Sequence, residues 1–98
     1  MDWKNSENKQ LIRAILSLET PNEAERFLRD LMTEVELVDC AKRLQTAELL
    51  LQNVPYSEIE KKTGFSSTTV ARVSKWLNGG RGGYKTIIGK LHHQAIPL

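Results

Sequence analysis

The sequence has one cysteine and no long apolar run, and each shortage excludes a class of protein. A single thiol, Cys40, rules out an internal disulfide and a metal site built on several thiolates. We expect it to be a small buried thiol in a reducing compartment. No apolar stretch approaches the roughly 20 residues that a membrane span needs, and the start of the chain lacks the apolar run of a secretory signal. The sequence therefore predicts a cytoplasmic protein with no membrane partner.

The composition fits one folded domain. The chain has 98 residues, of which 40% are hydrophobic and 27% charged, and this balance is typical of globular proteins. A chain this short buries a smaller fraction of its surface than a larger domain does. Association with a second copy is one way to gain core.

The two halves of the chain differ in charge. Residues 1–54 carry 7 Lys/Arg and 10 Asp/Glu, a net charge of −3, whereas residues 55–98 carry 7 Lys/Arg and 2 Asp/Glu, a net charge of +5. A basic half joined to an acidic half is expected when one end of a molecule meets a polyanion. The asymmetry favours nucleic acid as a partner of the second half.

Apolar residues of the acidic half recur at three- and four-residue steps, which predicts three helices. The first should stop near Glu19. Thr20, Pro21 and Glu23 then have the pattern of an N-cap, a first helical residue and a capping-box partner. Thr33 opens a long third helix in the same way. Consecutive leucines at 49–51 cover more than one face of it, so we expect one face to meet the domain and another a partner subunit.

In the basic half, Pro55 ends the third helix or lies just beyond its end. Short helices are predicted over residues 56–63 and 66–77, followed by four glycines within residues 79–83 and a last short helix over 84–91. No strand-like alternation is present. We therefore divide the single domain 1–98 into core and dimerisation helices (1–54), a helix-turn-helix (55–77), a glycine-rich loop with a short helix (78–91) and a loose tail (92–98).

The segment 56–77 has the features of a helix-turn-helix, two short helices that cross steeply through a tight turn. Gly64 supplies the positive φ that the turn requires, and Ser66 suits the N-cap of the second helix. The crossing also needs apolar contacts, and four side chains have inward spacing: Ile59, Phe65, Val70 and Val73. Glu60 departs from the usual pattern, because its long acidic side chain must bend outward from a position where small residues are common.

The amino-terminal end of the second helix is where this motif contacts bases and phosphates. Small hydroxyl side chains and free amides at that end allow close approach to the groove. Arginine and lysine follow one and two turns later, and an arginine there can bind guanine or phosphate. The predicted DNA-binding residues are Lys61, Lys62, Ser66, Ser67, Thr68, Thr69, Arg72, Lys75 and Arg81.

Other features have plainer interpretations. The loop around Arg81 lacks the lysine and hydroxyl of a P-loop, so it is either a hinge or a further DNA contact. His92 and His93 are adjacent and share a metal poorly. Trp3 and Trp76 are expected to pack in the core. No catalytic constellation is visible, so we expect neither an enzyme nor a cofactor.

Several motifs together resemble the tryptophan operon repressor (Trp repressor, TrpR) family, and within it the YerC/YecD-like branch. The resemblance rests on Leu31-Met32-Thr33-Glu34, Lys42-Arg43-Leu44, Glu48-Leu49-Leu50 and Gly64…Thr69-Val70-Ala71-Arg72…Leu77. It implies an all-α, Trp-repressor-like helical dimer in which the helices of two chains intertwine. Two helix-turn-helix units would then face successive major grooves.

The resemblance also implies an altered corepressor pocket. Thr33, Arg43, Thr69 and Arg72 occupy positions that match the two threonines and two arginines of the family's site. Val73 and Trp76 stand where the tryptophan-controlled repressor has small residues, so space for an indole ring is in doubt. The resemblance therefore predicts a repressor that tryptophan does not control, and it leaves open whether a different small-molecule effector binds.

The sequence thus predicts a DNA-binding transcriptional regulator that acts on double-stranded DNA as a homodimer. The alternative is a helical dimeric interaction module whose helix-turn-helix docks a protein, since folds are reused. A protein-docking version would carry apolar residues at Ser67, Thr68, Arg72 and Lys75. RNA is a distant third candidate. A recognition helix suits the major groove of B-form DNA better than the deep groove of A-form RNA.

Overall fold

The computed structural model describes residues 1–93, and every regular element in that range is a helix. The six helices are α1 (Ser6–Leu16), α2 (Pro21–Leu31), α3 (Glu34–Leu51), α4 (Tyr56–Thr63), α5 (Ser67–Gly79) and α6 (Gly83–His93). They divide between two compact units, Met1–Glu34 and Val35–Leu98. The predicted all-α class is confirmed, because residues 1–93 form six helices and no strand.

In the first unit, side-chain caps start both helices. The Asn5 side chain accepts a hydrogen bond from the amide of Asn8 at 2.8 Å. Thr20 Oγ1 accepts one from the amide of Glu23 at 3.1 Å, as predicted for an N-cap. Glu23 reaches back to the amide of Glu19 at 3.1 Å, one residue before the expected partner.

Helix α1 ends at Leu16, earlier than the predicted stop near Glu19. The amide of Ser17 bonds to the carbonyls of Arg13 and Ala14, and its hydroxyl donates to the Ala14 carbonyl at 2.7 Å. A serine hydroxyl that takes a nearby carbonyl offers the backbone an alternative to the next helical turn. The local hydrogen bonds of Ser17 explain the shorter helix.

No residue of α1 or α2 is buried. Leu16 has 78% of its surface exposed, and Trp3, which we expected to pack in a core, is also exposed. The exposed large apolar side chains of this unit are Met1, Trp3, Leu11, Ile12, Ile15, Leu16, Leu28 and Leu31. This unit therefore has apolar stripes but no buried core of its own, and its apolar side chains remain in contact with solvent.

In the second unit, Asn53 ends α3. Its φ of 60° lies in the left-handed region. The amide of Val54 donates to the Leu49 carbonyl at 3.1 Å and that of Asn53 to the Leu50 carbonyl at 3.0 Å. These are the two bonds of a Schellman C-cap. Pro55 lies just beyond this turn, as one of the predicted alternatives had it, and is the N-cap residue of α4.

The core of the second unit joins α3, α5 and α6. Its buried members are Ala47, Val73, Leu77 and Ile88, with Leu50 and Tyr84 packed against them. One side of α3 therefore faces the other helices. Other positions of α3 are exposed, among them Val35, Val38, Leu44 and Leu51, as expected for a helix with two apolar faces.

Cys40 also lies on an exposed part of α3, so the expectation of a buried thiol is wrong for this chain. Free cysteine is commonly buried because it behaves as a small apolar residue. The sequence pattern could not show that this face of α3 is left uncovered by the chain that carries it.

The glycine-rich segment between α5 and α6 has two positions that require glycine. A side chain on Gly80 would collide with the Trp76 carbonyl oxygen, and Gly82 has a φ of 79°. Gly79 and Gly83 lie at the ends of the two helices. Glycine is therefore required at 80 and 82 and only tolerated at the flanking positions.

Helix α6 is longer than the predicted 84–91 and includes His92 and His93. The placement of these two residues in a loose tail is therefore wrong. His92 Nε2 lies 3.0 Å from Glu48 Oε1, a contact with α3 that prolongs the helix beyond its core residue Ile88. The rest of the predicted tail, residues 94–98, lies outside the described residues.

Candidate nucleic-acid interface

The turn between α4 and α5 has the geometry that the sequence predicts. Gly64 has a φ of 78°, and its amide donates to the Glu60 carbonyl at 2.8 Å, which closes α4. A residue with a Cβ is strained in this left-handed conformation. Thr63 continues the turn, because its hydroxyl donates to the Ile59 carbonyl at 2.8 Å and accepts from the Phe65 amide at 3.2 Å.

Helices α4 and α5 pack against each other through apolar side chains. Ile59 and Val70 are fully buried, and Val73 is buried in the core with α3 and α6. Three of the four predicted inward residues are therefore buried, and the fourth, Phe65, is half-buried. This packing fixes the orientation of α5, so the opposite side of that helix is presented to solvent.

The amino terminus of α5 is capped by Ser66, as predicted. Ser66 Oγ accepts from the amide of Thr69 at 3.3 Å and lies 3.2 Å from Thr69 Oγ1. Thr69 is half-buried, whereas Ser67 and Thr68 are exposed. At this helix end the hydroxyl groups of Ser67 and Thr68 can therefore bind a ligand, together with the amide groups of the first turn.

Basic side chains follow on the exposed part of the same unit. Arg72 and Lys75 are exposed on α5, Lys61 and Lys62 in the last turn of α4, and Arg81 between α5 and α6. None of them forms an ion pair within residues 1–93. No acidic residue follows Glu60 in the chain, so the surface around α5 is positively charged and suited to phosphate.

Glu60 itself is half-buried on α4. Its carbonyl takes part in the turn, since it accepts the Gly64 amide.

The residues that match the family's corepressor pocket belong to both compact units. Thr33 is an exposed residue of the first unit, and the others belong to the second unit. Arg43 Nε donates to Asp39 Oδ2 at 2.6 Å within α3. Val73 has only 3% of its surface exposed and lies in the core cluster.

Trp76 does not close the core, and that expectation is wrong. Trp76 is 65% exposed, and its Cε3 atom lies against Gly80. Its neighbour Leu77, one position along the helix, has the core-facing position instead. The cation–ring contact within residues 1–93 is instead that of Lys42 with Phe65.

Lys42 is a residue of this site that sequence reasoning missed. Its Nζ atom lies 5.9 Å from the centroid of the Phe65 ring, and 3.9 Å from where a Cβ on Gly64 would be. Lys42 belongs to the acidic half, 22 positions before Gly64 in the sequence. No local sequence pattern could have shown this contact, because the residues that Lys42 approaches lie far from it along the chain.

Over residues 1–93, no group of three or more His, Cys, Asp or Glu side chains could hold a metal ion. Among the helices of the described range, none has both the length and the apolar content needed to cross a membrane.

Comparison with known proteins gives the family. The family model described as "Trp repressor protein" matches residues 6–92. A Bacillus subtilis (strain 168) protein named YerC, described as uncharacterized, is 36% identical over 88 residues, which are 90% of this chain and 85% of that protein.

Two solved structures are also similar to this chain. A TrpR-like protein from Eubacterium eligens has a TM-score of 0.89 and 34% identity, and a candidate Trp repressor from Staphylococcus aureus has 0.88 and 31%. Each comparison covers 96% of this chain and 97% of the other. The chain belongs to the Trp repressor family, whose members are regulatory DNA-binding proteins and not enzymes.

Proposed function

We propose that this protein is a sequence-specific DNA-binding transcriptional regulator that represses as a homodimer, with α5 as the recognition helix. It binds double-stranded DNA through Lys61, Lys62, Ser66, Ser67, Thr68, Thr69, Arg72, Lys75 and Arg81.

The observation that carries the proposal is the exposed side of α5. Packing of Ile59, Val70 and Val73 turns the apolar side of the helix-turn-helix inward. The outward side then begins with Ser67 and Thr68 and continues with Arg72 and Lys75. Short hydroxyl residues let a helix approach the base edges of the major groove, and basic residues further along suit phosphate or guanine.

Support for the homodimer comes from apolar surface that the single chain leaves uncovered. Helices α1 and α2 bury no residue, and α3 exposes Val35, Val38, Leu44 and Leu51. Exposed apolar area of this extent marks a protein interface. A second copy of the chain is the partner that the family resemblance implies, and a twofold dimer would place two recognition helices on two half-sites.

We further propose that tryptophan does not control this regulator. The corepressor position that the resemblance assigns to Val73 is occupied by a side chain already buried in the core. Insertion of extra atoms into a packed site typically costs about 1–3 kcal/mol. Trp76, at the other matched position, lies exposed in this chain.

The direct test is selection of bound fragments from a pool of genomic DNA with the purified protein. We expect enrichment of a palindrome with half-sites about one helical turn apart. Binding should weaken steeply as salt rises, since each neutralised phosphate releases counterions. Recovery of no preferred sequence at low salt would contradict the proposal.

One observation favours a second candidate, a module that docks a protein. Trp76 is a large exposed aromatic residue on the recognition helix, and tryptophan is enriched at protein interfaces. The two functions separate in one comparison. A docking module would lose partner binding on Trp76→Ala and would show no sequence preference in the DNA selection.

A further inference from the structure

The turn of the helix-turn-helix lies beside a side chain from the long helix α3. Lys42 is half-buried. Its ammonium group lies 5.9 Å from the centroid of the Phe65 ring and 3.9 Å from the position that a Cβ on Gly64 would occupy. One cation therefore approaches two of the three residues that connect α4 to α5.

Two physical effects favour this placement. A cation within about 6 Å of an aromatic ring is attracted by the ring's quadrupole. The end of α4 also carries unsatisfied carbonyl groups and the negative end of the helix dipole, which favour a nearby positive charge. The apolar stem of a lysine can cover hydrophobic surface while its charged end stays near solvent, which agrees with the half-buried state of Lys42.

Helix α3 can support such a contact because it is packed in the core of the second unit. Ala47 and Leu50, one to two turns further along, belong to the core shared with α5 and α6. Thr46, one turn from Lys42, is fully buried and donates its hydroxyl to the Lys42 carbonyl at 2.7 Å. Lys42 thus extends from the part of the helix that is fixed to the rest of the unit.

The other end of the contact is the start of the recognition helix. Phe65 directly precedes Ser66, the N-cap of α5, and Ser67 and Thr68 follow. Hydrogen bonds to bases tolerate only a few tenths of an ångström in distance. A shift of Phe65 would therefore displace the residues that contact DNA.

We propose that Lys42 is a positioning residue, which holds the start of the recognition helix on α3 through Phe65 and does not itself touch DNA. The inference rests on the proposed function, because it assigns Lys42 a role in DNA recognition. It adds a residue from the acidic half of the chain to a site that the charge pattern confines to the basic half.

The test uses five variants of the 98-residue chain, one of them a charge control, and the duplex selected above. Lys42→Met keeps the length of the side chain and removes the cation, and Lys42→Arg retains a cation. Phe65→Leu removes the ring, and a double variant combines Lys42→Met with Phe65→Leu. Lys9→Met, in the first unit, controls for the loss of one positive charge elsewhere.

We expect Lys42→Met to weaken binding about two- to five-fold, the range for an exposed cation–ring contact. Phe65→Leu should weaken binding at least as much, and Lys42→Met should add nothing in its background. Lys42→Arg should restore most of the affinity. The dependence of affinity on salt should stay unchanged, and Lys9→Met should bind as the unmodified protein does.

A different result would overturn the proposal. If Lys42→Met lowers the salt slope by about one unit, and does so equally with Leu at position 65, then Lys42 contacts a phosphate directly. If Lys42→Met leaves affinity unchanged while Phe65→Leu reduces it, the ring acts without the cation. Thermal unfolding shows which variants are folded, and should Lys42→Met not fold, Lys42→Arg and Phe65→Leu carry the comparison.

A measurement without DNA separates this inference from the proposed function. In the NMR spectrum, protons of the Lys42 ε-methylene group should be shifted upfield by the ring current of Phe65. The shift should vanish in Phe65→Leu. Ordinary lysine values in the unmodified protein would overturn the contact. If the contact is present but no duplex binds, the DNA-binding function fails and the brace between α3 and the turn remains.

Discussion

Arg72 and Lys75 lie three residues apart on the exposed part of α5, but we expect them to act differently. If Arg72 binds the edge of a guanine, Arg72→Ala should cost about 1–3 kcal/mol and relax the preference at one base pair. If Lys75 contacts phosphate, Lys75→Ala should weaken binding to all sequences alike and lower the salt slope by about one unit.

Affinity measured on the selected duplex, on a set of single-base variants and over a salt series distinguishes these two roles. Lys9→Met again serves as the charge control. Unchanged binding in both alanine variants would mean that the recognition helix is assigned wrongly.

The glycines of the second unit should not respond alike to substitution. Gly64→Ala places a Cβ at a φ of 78° and should destabilise by about 1–2 kcal/mol. Gly80→Ala brings the new atom onto the Trp76 carbonyl and should cost about 1–3 kcal/mol. Gly79→Ala, at a helix end with open space around it, should be neutral or stabilise by up to about 1 kcal/mol.

Urea unfolding of the three variants measures these differences. Equal stabilities for Gly64→Ala and Gly79→Ala would show that the turn can relax out of the left-handed conformation.

Residues of the site were predictable where the governing interaction is local. The need for Gly64 and the capping role of Ser66 follow from turn and helix-end geometry within four residues. Trp76 and Cys40 were misjudged because aromatic residues and thiols are usually buried, and burial depends on which faces the fold covers. Lys42 was missed because its partners lie 22 and 23 positions away.

At the scale of single helices, the two serines at the start of α5 make a matched pair. Ser66 caps the helix through its bond to the Thr69 amide, whereas the Ser67 hydroxyl makes no hydrogen bond within residues 1–93. Ser66→Ala should destabilise by about 1 kcal/mol. Ser67→Ala should leave stability within about 0.5 kcal/mol and weaken DNA binding.

Thermal unfolding and DNA affinity, measured on both variants, check this separation. A loss of stability in Ser67→Ala as large as that in Ser66→Ala would mean that the N-cap lies one residue later than assigned.

The same scale shows why some helix bounds were predicted and others were not. Both ends of α4 agree with prediction, because Pro55 and Gly64 bound it with strong backbone preferences. The end of α1 was set by the hydroxyl of Ser17, and the end of α6 was extended by a contact with Glu48 on α3. Weak local signals leave a helix end to such competing interactions.

At the scale of the whole molecule, we expect an obligate homodimer. Light scattering at micromolar concentration should give twice the chain mass of 11.1 kDa, and the unfolding midpoint should rise with protein concentration. Leu44, which is 37% exposed on α3, is a suitable position to disturb. Leu44→Glu should shift the protein towards monomeric or unfolded species, because it places a charge in an apolar interface.

Gln45→Glu, an exposed neighbour on the same helix, adds the same charge and should remain dimeric. A folded monomer of the unmodified protein at micromolar concentration would refute the dimer.

The regulator as a whole should also be indifferent to tryptophan. A ligand shifts an equilibrium only if it binds one state better than the other. With Val73 buried at the matched position, calorimetry with millimolar L-tryptophan should show no saturable heat, and DNA affinity should be the same with and without it. Saturable binding that tightens DNA affinity tenfold would contradict this.

The exposed indole of Trp76 gives the recognition helix an optical label of its own. Tryptophan emission depends on the polarity around the ring, and this ring faces solvent beside Arg72 and Lys75. The other indole, Trp3, lies in the first unit. Trp3→Phe therefore leaves a single tryptophan, on the surface that is proposed to meet DNA, and encounters with DNA can be followed in real time without an added dye.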